Sequence, residues 1–124
     1  MTTNTINRVD ALNYKLDRDI QSAKAAKAEA AERIVESDFN RSHDLDTIIE
    51  AGARLEVANT IKAWVAIATE ESKSEEEIFA YVRERATLTI MQTSNPNSTS
   101  KTHVAIANET HYAWIRATND LLYI

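Results

Sequence analysis

From about Thr5 to Ser37, apolar residues recur three or four positions apart: Ile6, Val9, Leu12, Leu16, Ile20, Ala23, Ala30 and Ile34. Helical geometry places these side chains on one stripe, with Asp10, Arg18, Lys24, Glu29 and Arg33 largely outside it. The spacing predicts an amphipathic helix, roughly 50 Å long at about 1.5 Å per residue. In its second half, "AKAAKAEAAE" (Ala23–Glu32), alanines stand where the first half has leucines. Two readings fit that substitution: small side chains that admit a closely packed neighbour, or a strong helix former on a solvated rod. Lys27 falls on the stripe, where its stem is expected to snorkel and its ammonium to reach water.

"SDFNRSHD" (Ser37–Asp44) breaks the pattern with turn and capping residues. A second helix follows over about 45–70, with "TIIE" (Thr47–Glu50) as a capping box or Asp44 as an alternative cap. Its apolar residues, Ile48, Ile49, Leu55, Val57, Ile61, Trp64, Val65 and Ile67, cover more than one face, which predicts a central helix. Gly52, between Ala51 and Ala53, predicts a close helix crossing, with a kink as the alternative. Ser74 and Glu77 have capping-box spacing and open a third helix, about 75–91, with Ile78, Phe79, Val82 and Ala86 on one side. "ATLTIMQ" (Ala86–Gln92) has enough β-branched content for a short strand, but no partner strand is in sight and it reads as helix. A polar loop over 93–101, broken by Pro96, precedes a fourth helix over about 102–122. The expectation is a single all-α domain: a small bundle of four helices with an unusually long first helix.

Composition agrees with that reading. Glycine and proline occur once each, too rarely for a β architecture built on turns, and 44% of residues are hydrophobic. There is no cysteine, no apolar run of membrane-span length and no leader-like start, so a soluble cytoplasmic protein is expected. The net charge of −5 arises entirely between Asp38 and Gln92. An acidic chain without a basic patch makes nucleic-acid binding an unfavourable reading.

The stretch "HVAIANETHYAWIR" (His103–Arg116) holds the densest set of chemically capable side chains. Helical metal sites set ligands one turn apart, whereas His103 and His111 are eight residues apart, about 12 Å along a helix. No nucleophile elbow accompanies the serines, and one glycine cannot form a phosphate-cradling loop. These absences lead to a non-enzymatic protein without a cofactor or metal. On a helical wheel Val104, Ala107, His111, Trp114, Ile115, Thr118, Leu121 and Leu122 form an apolar stripe. Lys101, Glu109, Tyr112, Arg116, Asn119 and Asp120 take the other side. His111 then reads as a hydrogen-bonded core histidine or a pH-responsive contact, and Trp114 as core packing or an interface anchor. Tyr112, Arg116 and Tyr123 are the candidates for an exposed recognition surface.

The function expected from these residues is a protein-interaction module that associates with itself. A homodimer joined along the first helix is the specific form, because that helix looks too long for its neighbours to cover and "LLYI" (Leu121–Ile124) is an apolar tail. One alternative is a small acidic inhibitor or adaptor of phage or mobile-element type, with nucleic-acid mimicry as one form of it, docking through the acidic middle. Another is a ligand binder or enzyme with a pocket near His111.

Overall fold

The computed structural model describes residues 7–37, 42–93 and 101–121, with the backbone alone at 42, 93 and 101–103. They form four α-helices: α1 (Arg8–Glu36), α2 (Ser42–Glu70), α3 (Glu75–Thr93) and α4 (Lys101–Leu121). The all-helical bundle expected from spacing is the observed fold, and "ATLTIMQ" is helical throughout. The first helix shares its length with the second, since both have 29 residues.

α1 starts where the Asn7 side chain accepts the Val9 amide at 2.7 Å, satisfying one of the donors a helix start leaves open. It ends at Ser37, whose amide donates to the Arg33 carbonyl at 3.1 Å and whose hydroxyl donates to the Ile34 carbonyl. α2 returns antiparallel beside it, a register marked by ion pairs from Arg33 to Asp44 and from Lys62 to Asp17. The length that seemed to leave α1 uncovered is therefore matched by α2. Val9, Leu12, Leu16, Ile20, Ala23, Ala30 and Ile34 are all buried. Of the alanine-rich half, Ala23 and Ala30 pack closely while Ala25, Ala28 and Ala31 face outward with Lys27.

α2 packs against each of the other helices, as its spread of apolar positions predicts. The main core joins Leu12 and Leu16 of α1, Val57, Ile61 and Val65 of α2, Phe79 and Val82 of α3, and Trp114 and Leu121 of α4. Beyond it, Ala23, Ala30, Ile34 and Ala51 are buried along the α1–α2 pair without joining that cluster. Near the end of this seam lies Asp44, 1% exposed, whose carboxylate accepts from Arg33 Nε at 3.0 Å. Asp44 sits inside the first turn of α2, at the positive end of the helix dipole. Thr47 lies within the helix, not at its start: its hydroxyl donates to the His43 carbonyl, so it is not the cap.

Gly52 also departs from expectation. A Cβ built there would have nothing within 4 Å, so no helix crosses closely at that point. The flanking Ala51 and Ala53 are the buried residues. The connection from α2 to α3 is compact. Ser72 takes a left-handed φ of 56°, while the Lys73 amide reaches the Ala68 carbonyl and the Ser72 amide the Thr69 carbonyl. This Schellman arrangement places serine where glycine is usual. Ser74 then begins α3 through a reciprocal capping box: its amide donates to Glu77 Oε1 at 2.9 Å and its hydroxyl accepts the Glu77 amide at 3.2 Å.

Candidate functional site

The fourth helix is oriented by Trp114 and by two alanines. Trp114 is 3% exposed and stacks on Trp64 of α2, with ring centroids 5.2 Å apart and planes inclined by 29°. The Arg85 guanidinium of α3 lies 5.5 Å from the Trp64 ring and 5.4 Å from Tyr81, extending the aromatic contact across three helices. Trp114 is thus a core anchor, the simpler of the two roles its position suggested. Ala113 is buried as well, and Ala117 packs against the core.

His111 stands at the margin of this packing. It is half-buried, outside the core cluster, with its ring 6.2 Å from that of Tyr112. The wheel placed it inside the apolar stripe because Ile115 and Val104 pull the hydrophobic direction towards them. Burial instead centres on Ala113, Trp114 and Leu121, since alanines count little on such a wheel yet permit close approach. Tyr112 is exposed, as its position on the polar side predicts. Tyr123 lies outside the described residues, as does the side chain of His103.

Arg116 is exposed too, and it borders a feature assembled from three helices. α1 and α4 both pack on α2 without bringing their backbones into contact, and the gap between them is a half-open groove. Its volume is about 150 Å³. Leu12 and Leu16 of α1, Val57, Ala58 and Ile61 of α2, and Ala113, Ala117 and Leu121 of α4 form an apolar lining. Lys15, Asp19, Arg54, Arg116 and Asp120 supply its polar border. Lys15 spans the gap, with Nζ 2.8 Å from Asp19 on its own helix and 3.2 Å from Asp120 on α4. Burial opposes its charge, but the hydrogen bonds and charges of Asp19 and Asp120 outweigh that effect, leaving the ammonium above its ordinary pKa.

The arginines of the border are less engaged. Arg54 Nε is buried and has no hydrogen-bond partner among the described residues, with Glu50 Oε1 at 4.0 Å. Arg116 takes part in no hydrogen bond or ion pair among the described residues. A buried guanidinium nitrogen left without a hydrogen bond is costly, a cost that falls on Arg54 and not on the exposed Arg116. Of the singled-out residues that are described, His111, Tyr112, Trp114 and Arg116, only Arg116 borders the groove. Leu12, Leu16, Lys15 and Arg54 were missed because they come from helices distant in sequence. The available signal was Arg54 among Ala53, Val57 and Ala58, and Ala113 with Ala117 one turn apart.

Among the described residues no group of three or more histidine, aspartate or glutamate side chains is arranged to hold a metal ion, and no helix is long and apolar enough to cross a membrane. No protein-family model, curated protein or solved structure matches the chain.

Proposed function

We propose that this protein is a non-enzymatic helical interaction module that captures a segment of a protein partner in the groove between α1, α2 and α4. The observation carrying this reading is the groove's size together with its lining. Small-molecule sites commonly measure roughly 300–1,000 Å³, whereas this groove holds about 150 Å³. That volume suits a benzene-sized group, the bulk of one anchoring side chain. An apolar pocket ringed by polar side chains is also the arrangement in which a single buried anchor contributes most to protein association.

Self-association through α1 draws no support from its apolar stripe, whose described residues are buried within the bundle. A homodimer would have to use outward residues such as Ala28, Ala31, Val35 and Leu45, where Val35 is 66% exposed. The acidic middle supports nucleic-acid mimicry poorly. Asp46 and Glu70 are separated by about 36 Å along α2, and Asp44, Glu75 and Glu77 are occupied by Arg33, Arg8 and Ser74.

The test is affinity capture from the native host with two baits, the wild-type chain and Ala117→Phe. Ala117 is only partly buried at the groove, so a phenyl ring there fills the cavity from its open side. A partner held by the wild type and released by Ala117→Phe is expected. A partner retained equally by both baits would contradict the groove as its site.

A further inference from the structure

Resting on that reading, we infer that the segment captured by the groove is acidic: it presents one large apolar side chain with a carboxylate beside it, and Arg54 and Arg116 receive that carboxylate. The protein as a whole carries a net charge of −5, whereas the border of this groove has one more cation than carboxylate. Three cations and two carboxylates line the groove. The carboxylates are already occupied, since Asp19 and Asp120 both bond to Lys15. Lys15 is correspondingly committed to them. The donors left without a hydrogen bond are therefore those of the two arginines: Arg54 on α2, held by Glu50 only as an ion pair at 4.0 Å, and Arg116 on α4.

Their placement gives the selectivity a physical basis. The buried Arg54 Nε–H has lost its water and found no acceptor among the described residues, while Glu50 approaches it no closer than 4.0 Å. A carboxylate brought in by the partner would give the groove-lining Arg54 guanidinium an acceptor and so a hydrogen bond to a charged group. Arg116 would meet the same carboxylate from the α4 side. A basic partner segment, in contrast, would place like charge against two guanidinium groups. The occupant is a peptide segment and not a free small acid because the cavity holds only the anchor. The remaining affinity has to come from backbone and neighbouring side chains outside it.

The experiment uses calorimetric titration of the full chain with three capped peptides, each with one central phenylalanine flanked by aspartate, asparagine or lysine. Hexanoate alone is the fourth ligand. The aspartate peptide is expected to bind at least about tenfold more tightly than the lysine peptide, in keeping with a charge-assisted hydrogen bond. Arg54→Gln and Arg116→Gln should each remove much of that preference, and Ala117→Phe should remove binding. Circular dichroism and melting of each variant verify that the fold is intact. If the three peptides bind equally and Ala117→Phe still abolishes them, the groove is a docking site but its acidic selectivity is refuted. Hexanoate binding as tightly as the aspartate peptide would overturn the protein-segment assignment. Failure of all four ligands, with the capture experiment still releasing its partner in Ala117→Phe, would refute the partner chemistry while leaving the module reading standing.

Discussion

A glycine within a helix gives up more backbone freedom on folding than alanine does, and its retention usually reflects a steric need. Gly52 has no positive φ and nothing within 4 Å of where a Cβ would stand. Gly52→Ala is therefore expected to stabilise the protein by about 0.5–1 kcal/mol. The readout is a higher denaturant midpoint at unchanged slope; a lower midpoint would indicate a close neighbour that the open space excludes. At Glu77 the controlling interaction is electrostatic. The Ser74 amide, then the Ser74 hydroxyl, hold its carboxyl below the usual value of 4.5, against a small opposing effect of burial and with help from Lys73. A depressed carboxylate pKa contributes stability above its unfolded value and loses it as pH falls through the folded one. Wild-type protein should thus be more stable than Glu77→Gln near neutrality, and that difference should shrink as pH falls below about 4.5. Urea melts at pH 7 and pH 3 check the sign.

At the scale of elements, the α1–α2 pair depends on small contacts. Its outer seam has Ala23, Ala30, Ile34 and Ala51, and little apolar area accompanies three alanines. The Arg33–Asp44 pair lies at this end, with the carboxylate buried and the guanidinium 42% exposed. Removing the arginine weakens the solvation of a buried carboxylate that keeps other contacts. Arg33→Ala is expected to cost about 1–3 kcal/mol. Hydrogen exchange should show amides near 30–36 and 42–50 opening first, since the main core lies further along the helices. Equal loss of protection throughout the bundle would contradict a separate seam. The local devices were legible in the residues: the α1 stripe repeats every three or four positions, and the Ser74–Glu77 box spans one helical turn. Two features were not. Ser72 occupies a left-handed turn position without the glycine that would announce it. The face of α4 was rotated away from its true contact because Ala113 and Ala117 weigh little against Ile115 and Val104.

At the scale of the whole molecule, the proposed function depends on what α1 and α4 leave between them. Lys15 and Asp120 are brought together only by folding, so nothing local in either segment reveals the groove they span. The bundle was legible because α1 and α4 each carry a helical period and α2 spreads apolar residues over more than one face; the groove was not, because it exists only where three helices diverge. The chemically rich stretch around His111 and Trp114 accordingly supplies one border residue, Arg116. Of its other residues, Trp114 and Ala113 are buried in the packing that holds α4 in place, while Ile106 and Tyr112 face outward.

The most direct test follows backbone amide chemical shifts of isotope-labelled protein during titration with the aspartate-flanked phenylalanine peptide. A groove that docks its partner predicts the largest changes at Leu12, Leu16, Ala58, Ala113 and Ala117, with Arg54 and Arg116 moving alongside. Shifts centred instead on the outward residues Ile106 and Tyr112, with the groove amides unmoved, would contradict it.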